Sequence, residues 1–344
     1  MIEMNLLGEI DRTDMQSMVD AFPEMLQITT LTQEFRQSIQ LAKKDNIEGI
    51  CLLGMGGSAI SGLLTKGVIH SDVPIISVRN YSIPKFVKQS WIIIAVSYSG
   101  NTEETLLSLR EAKKKGSTCF AITSGGKMRT EVPSNRTHVL PKGFQPRAAL
   151  PLIFSAVFPT IELLLGKEHI DLKLIAAQLK KTQKQWGTEI RKPEDFAQFL
   201  VGKIPIFTGW SHLFPVAYRA KCQINENAKA AAFYSELPEV NHNEIESVLT
   251  FTEKKLVPIF LRSVHETRRI SQRFDITHDI YKDYGCEPVS IKLRSQSKLE
   301  ETLAITHYLD RVSVNLANII GVDPINVDRI QILKKRLASD NETI

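Results

Sequence analysis

The stretch Ser97-Tyr98-Ser99-Gly100-Asn101-Thr102-Glu103-Glu104-Thr105 follows directly on the apolar run Trp91 to Val96 and leads into a helical pattern. A strand that opens into three hydroxyl side chains, a glycine and a helix start can hold an anion. The helix N-terminus offers unpaired N–H groups and the positive end of its dipole. Ser97, Ser99 and Thr102 add short neutral donors around the same point. Asn101 with Glu104 three residues later predicts a capping box that fixes the helix start. The ligand this suits is a phosphate monoester held mainly by neutral donors.

A second loop has the same character. Gly54-Met55-Gly56-Gly57-Ser58 follows the apolar run Ile50 to Leu53, and its glycines allow close backbone approach to a ligand. As a dinucleotide fingerprint it is imperfect, and residues 73–78 supply no acid for a ribose. Arg147 stands between Pro146 and a long apolar helix, where a positive charge opposes the helix dipole. That conflict favours an anionic partner. Glu226 with Lys229 reads as an exposed i,i+3 pair, His242 as a solvated loop histidine, and Lys334 as part of a basic last helical turn.

These residues have to be positioned by short apolar runs alternating with helical stretches. Strands are expected at Ile50–Leu53, Pro74–Val78, Trp91–Val96, Ser117–Thr123 and, weakly, Val139–Leu140. A second block has strands at Ile204–Thr208, Leu256–Leu261 and Pro288–Leu293, with helices from about Pro215 to Phe233, Glu266 to Tyr284 and Leu299 to Ile320. Strands apolar throughout imply burial on both faces, hence parallel sheets covered by helices. The fold class is therefore α/β, with two tandem doubly wound parallel-sheet domains. An N-terminal helical arm (1–45) precedes the first domain (46–166). A helical connection (167–200) leads to the second domain with its C-terminal helix (201–344). In such sheets ligands sit beyond the carboxyl ends of the strands. The arm packs on the first domain or on a second subunit.

Bulk properties narrow the function. The 344 residues are 43% apolar, enough for two cores, and a net charge of +5 is spread thinly. No dense basic run with interleaved aromatics appears, so nucleic acid is not an expected partner. Cys51, Cys119, Cys222 and Cys286 form no CxxC pair and are expected as reduced thiols in a cytoplasmic protein. The N-terminus lacks the pattern of a signal peptide, and the apolar stretch Ala148 to Ile161 is too short to span a bilayer, so no membrane partner is expected.

Gly56-Gly57-Ser58 and Ser97 to Thr105 resemble the phosphate loops of sugar isomerase domains. Three further stretches make the likeness more specific: Gln145 to Ala149, Asn225 to Lys229, and Leu237 to Glu244. Together they resemble the bifunctional phosphoglucose/phosphomannose isomerases, which carry two such domains in tandem. The resemblance implies an aldose–ketose isomerase of glucose 6-phosphate and mannose 6-phosphate acting through a cis-enediol. It places the phosphate on Gly57, Ser58, Ser97, Ser99 and Thr102, and Arg147 at the sugar's reacting end. It makes Glu226 the residue that shuttles a proton between C1 and C2, and His242 and Lys334 (or Lys335) the ring-opening groups. His242 is implied to reach a neighbouring subunit's site, so a homodimer is expected. Neither metal nor any other cofactor is expected, since electrons move within the substrate. The alternatives are another phosphosugar isomerase and a non-catalytic phosphosugar sensor.

Overall fold

The computed structural model describes residues 7–28, 30–43 and 47–340. Two parallel sheets form the frame. The first contains β1 (Gly49–Leu53), β2 (Ile75–Val78), β3 (Trp91–Val96), β4 (Thr118–Thr123) and β5 (Thr137–Val139), in the spatial order β2-β1-β3-β4-β5. The second contains β6 (Ile204–Gly209), β7 (Phe233–Glu236), β8 (Leu256–Leu261) and β9 (Val289–Ile291), in the order β7-β6-β8-β9. Every pairing is parallel. The second sheet thus repeats the first, with β6 in the place of β1 and β8 in the place of β3.

The N-terminal segment forms α1 (Met15–Asp20), α2 (Phe22–Leu26) and α3 (Gln33–Lys43). In the first half of the chain α4 (Gly56–Val68), α5 (Glu103–Lys114), α6 (Met128–Glu131) and α7 (Leu150–Leu165) follow; α8 (Leu172–Thr182) and α9 (Pro193–Leu200) connect the halves. The second half adds α10 (Phe214–Gln223), α11 (Arg268–Asp283), α12 (Lys298–Ile319) and α13 (Asp328–Asp340). Local chemistry sets many of these limits. The Asp14, Asp171, Thr267 and Ser297 side chains cap α1, α8, α11 and α12 by accepting first-turn N–H bonds. Proline stands in the first turn of α2, α7, α9 and α10, where its missing N–H costs nothing.

The arm belongs to its own chain's core. Met15, Met18, Phe22, Met25, Phe35 and Ile39 are almost fully buried, and Phe22 stacks on His307 of α12 at 5.1 Å. Ion pairs Glu24–Lys180 and Asp20–Arg311 tie it down further. Leu41, on the outer face of α3, is exposed. The central helix α7 is buried on nearly every side, and the largest core cluster runs continuously from it through α4, α10 and α12, between the two sheets. At roughly 1.5–3 kcal/mol per large side chain, this shared core fixes one half on the other.

The second half departs from expectation at one place. The helix expected from Pro215 to Phe233 stops at Gln223, widens into a π-helical turn over Ile224–Ala228, and ends at Lys229 in the left-handed region (φ 54°). The chain then turns back as the edge strand β7, which includes Phe233. No described helix is long and apolar enough to cross a membrane. The described cysteines are free, with Cys51 and Cys119 buried, and burial pushes both thiols up.

Candidate active site

Beyond the carboxyl ends of β1 and β3 two loops meet at the point where the strand order reverses, which is where ligands bind in open α/β sheets. Ser58, in the first turn of α4, accepts a bond from Tyr98 N at 3.3 Å across this gap. The loop after β3 is held from inside: Ser97 Oγ accepts from Gly100 N at 3.1 Å and lies 2.9 Å from Thr102 Oγ1. Ser99 Oγ accepts from Asn101 N at 3.3 Å. Ser97 is buried and Ser99 exposed, so the cluster grades from interior to mouth. Neither α4 nor α5 receives a side-chain cap at its N-terminus. The expected Asn101–Glu104 capping box is therefore corrected: Thr102 occupies the N-cap, and Asn101 Oδ1 accepts instead from Lys127 N at 3.0 Å. That leaves the first-turn N–H groups of two helices free of side-chain competition beside the hydroxyls.

Two glycines make this geometry possible. Gly100 adopts φ +69°, and a Cβ there would lie 1.7 Å from the Gly125 carbonyl oxygen. A Cβ on Gly57 would meet the Pro146 carbonyl oxygen at 3.1 Å and Arg147 Cα at 3.5 Å. The loop at the start of α4 and the backbone of Arg147 are thus packed against each other. Tyr98 fastens the same junction, donating from its hydroxyl to Pro141 O at 2.7 Å and accepting from Phe144 N at 3.2 Å.

Arg147 itself is 4% exposed. Its Nε donates to Asn227 Oδ1 at 2.7 Å, and its Nη2 donates to Pro324 O and to Ile325 O. Nη1 has no hydrogen-bond partner among the described residues. Burial pulls the guanidinium below the usual arginine range, while the negative charges of Glu226 and Asp323 push it back up. Glu226 lies next to Asn227 on the π-helical turn, half-buried. A single wide turn of this kind is characteristic of functional sites, because it re-aims side chains without ending the helix. Lys229 does not form the expected side-chain pair with Glu226. Its Nζ instead donates to the backbone carbonyls of Glu226 (2.8 Å), Asn227 (3.1 Å) and Asp323 (2.6 Å), locking the turn.

Sequence reasoning missed the residues behind Arg147. Arg219 Nη2 donates to Arg147 O at 2.9 Å while its Nε and Nη2 grip Asp310, the pair being almost wholly buried. Burial raises the Asp310 carboxyl above its ordinary range and Arg219 opposes it. Asn227 Nδ2 donates to Ser313 Oγ at 2.8 Å. A charged residue among the apolar positions of α10 and of α12 was the available signal.

Gly57, Ser58, Ser97, Ser99, Thr102, Arg147 and Glu226 are thus linked through contiguous loops and one buried network. His242 and Lys334 are not joined to them by contacts within the chain. His242 is exposed in a 3-10 turn after β7. That turn is tied to α11 through Asn241, which donates to Thr277 Oγ1 and accepts from Arg273. Lys334 is exposed on α13, which starts just past the Asp323–Ile325 strap that Arg147 and Lys229 hold.

The second sheet's corresponding loops are filled from within. Glu301 of α12 is wholly buried and accepts from Val264 N at 2.8 Å, from Ser263 Oγ at 2.5 Å, and lies 2.7 Å from His212 Nε2. A carboxylate of the chain sits at the β6/β8 loops, where the first sheet has its open hydroxyl cluster. Among the described residues no group of three or more His, Cys, Asp or Glu could hold a metal ion.

Comparison with known proteins agrees with this architecture. Residues 189–337 match the family model described as the bacterial phospho-glucose isomerase C-terminal SIS domain. The bifunctional phosphoglucose/phosphomannose isomerase of Aquifex aeolicus is 36% identical over 299 residues, covering 84% of this chain and 90% of that one. The D-glucosamine-6-phosphate 4-epimerase of Sulfolobus acidocaldarius is 34% identical over 220 residues, 63% of this chain and 69% of that one. Among solved structures, the C-terminal domain of glucosamine-fructose-6-phosphate aminotransferase from Francisella tularensis superposes with a TM-score of 0.70 at 16% identity, covering 91% and 98% of the two chains.

Proposed function

The chain belongs to the bifunctional phosphoglucose/phosphomannose isomerase family, and from that premise we propose how its residues interconvert glucose 6-phosphate and mannose 6-phosphate with fructose 6-phosphate. The observation that carries the reading is the convergence of Arg147, with one free guanidinium nitrogen, and Glu226 beside an uncharged phosphate cradle.

The 6-phosphate is held by Ser58, Ser97, Ser99 and Thr102 and by the N–H groups at the starts of α4 and α5, with Gly57 allowing the close approach. Neutral donors suit a substrate that must leave again, because they bind the dianion without the grip of an ion pair. Glu226 removes the proton at C2 of the open-chain aldose while O1 takes up a proton, which turns glucose 6-phosphate or mannose 6-phosphate into the same enediol; return of the carbon-bound proton at C1, with loss of the O2 proton, gives fructose 6-phosphate. The two epimers differ only at C2, so their paths merge once that proton is gone. Arg147 Nη1 stabilises the negative charge that develops on the enediol oxygens. His242 and Lys334 open the sugar ring. His242 is supplied by the second copy of a homodimer, which accords with its exposure on the turn after β7. The protein acts in the cytoplasm, and its parts are the arm 1–45, a first domain 46–166, a connection 167–200 and a second domain 201–344.

The experiment is a coupled assay of both hexose 6-phosphates, with chelator present, on the wild type and on Glu226→Gln. The wild type is expected to convert both substrates. The variant is expected to lose turnover by about 10²–10⁴-fold while KM changes little. It should also lose exchange of solvent deuterium into C2. Conversion of only one epimer overturns the dual specificity. A Glu226→Gln protein of undiminished turnover removes the proton-transfer role. The 4-epimerase relative supplies a second reading, and release of a C4 epimer from an amino sugar phosphate in the same assay would favour it.

A further inference from the structure

Helices α4 and α10 pack against each other so that the N-terminus of each lies toward the C-terminal part of the other. The isomerase site uses the start of α4 and the turn after α10. At the opposite end of the pair lies a cavity of about 370 Å³ that the isomerase reaction does not use. Lys66 is eight residues past Ser58 on α4, and Tyr218 is eight residues before Glu226, so helical rise alone sets this cavity roughly 12 Å from the first site. Its size is that of a small-ligand pocket.

The lining has a definite chemistry. Phe214, Tyr218 and Tyr234 form a continuous aromatic wall, with ring centroids 5.7 Å apart for Phe214–Tyr234 and 4.9 Å for Tyr218–Tyr234. The Arg79 guanidinium lies 5.1 Å from the Tyr218 ring centre, and Lys66 faces the same space. Neither cation enters a salt bridge among the described residues. Two cations outside any salt bridge, Arg79 hydrogen-bonded to the Tyr218 side chain, and an aromatic wall are opposite in kind to the first site, whose cradle is hydroxylic and uncharged. The counterpart of that cradle in the second half is closed by Glu301. A phosphosugar therefore finds no neutral nest here. A flat apolar ring gains from the aromatic wall, and its charge is met by Lys66 and Arg79.

We propose that this cavity is a second small-molecule site, separate from the isomerase site, that takes a planar ring carrying an anionic group, as in a nucleoside monophosphate. The site does not depend on the isomerase reading, because none of its residues takes part in the proposed reaction.

The test uses the full chain and AMP as probe. Calorimetric titration is run with and without saturating fructose 6-phosphate. One AMP per chain is expected in both conditions. Adenosine, which lacks the charge, and ribose 5-phosphate, which lacks the ring, are each expected to bind at least about tenfold more weakly. The Lys66→Ala/Arg79→Ala double variant and, separately, Tyr234→Ala should each weaken AMP at least about tenfold, with hexose phosphate turnover unchanged. The proposal is overturned if AMP does not bind at about 5 mM, if fructose 6-phosphate displaces it, or if ribose 5-phosphate binds equally well. Unchanged AMP affinity in the double variant overturns it too. Turnover measured on the same preparations separates a failure of this site from a failure of the isomerase assignment.

Discussion

Replacing Arg147 by lysine tests the centre of the mechanism, because charge is kept while geometry is removed. The arginine spends Nε on Asn227 and Nη2 on the carbonyls of Pro324 and Ile325, and in the proposed mechanism Nη1 serves the enediol oxygens. A lysine head has one nitrogen at the end of a shorter reach. It can keep one of these three duties and must abandon the others. Hydrogen bonds to a charged group contribute about 1.5–3 kcal/mol each, so losing one buried anchor while the other is retained should destabilise the fold by at least about 1.5–3 kcal/mol. Losing a donor aimed at a developing oxyanion costs about 2.7–4 kcal/mol in the transition state, a fall of about 10²–10³ in kcat. KM for fructose 6-phosphate should stay within about threefold, because the hydroxyl loops are untouched. The assay pairs steady-state kinetics in both directions with a thermal melt. If Arg147→Lys retains kcat within about threefold of wild type while folded, the oxyanion role is wrong. If kcat and KM worsen together in step with a lost melt transition, Arg147 serves the fold alone.

Other perturbations follow from the same geometry. Gly100→Ala forces a Cβ into the Gly125 carbonyl at φ +69°, and should cost at least about 1–2 kcal/mol of stability while raising KM by about tenfold or more; an unchanged KM would show the loop does not hold phosphate. His138 is buried against Phe35, without a hydrogen-bond partner among the described residues, and desolvation pulls its pKa down to about 4 from 6.5. Because the folded value is depressed, the unfolded chain takes up the proton first, so stability is complete above pH 6.5 and is lost as pH falls toward 4. At about 1.36 kcal/mol per pH unit that loss reaches about 3 kcal/mol. His138→Phe should flatten that part of the urea-stability profile by about one proton, and an unaltered slope would refute the assignment. Mixing inactive Glu226→Gln and His242→Ala chains, after unfolding and refolding together, should restore about a quarter of wild-type activity if each site borrows His242 from the other copy. Dimers that form and recover nothing would put His242 at its own chain's site or at none.

Much of the frame was legible because burial on both faces leaves an unambiguous trace. Trp91–Val96 and Leu256–Leu261 are strands with the limits their apolar runs suggest, and α12 begins and ends within one residue of expectation. The strand β7 was not legible: Phe233 and Tyr234 are exposed on a sheet edge, and the sequence before them keeps helical spacing through Ala228. The chain leaves that helix at Lys229, whose side chain must reach three carbonyls to hold the exit, a condition no local pattern expresses. At the site, the hydroxyl loops announced themselves because strand, glycine, hydroxyls and helix are adjacent in sequence. The support of Arg147 did not, since Asn227, Arg219 and Asp310 approach it across 80, 72 and 163 residues of chain. Long-range polar pairs depend on how the two halves dock, and only the docked core between α4, α7, α10 and α12 brings them together.

The strap from Asp323 to Ile325 gives the molecule an uncommon coupling. Arg147 and Lys229 both rest on its carbonyls, so in the proposed mechanism the segment ahead of α13 is wired to the chemistry through Arg147. Pulling, trimming or bulking that tail would be felt at the guanidinium as a loss of footing. A protein shortened to residue 320 would keep the residues of both sheets and of the hydroxyl loops, yet leave Arg147 without the two carbonyls on which it rests.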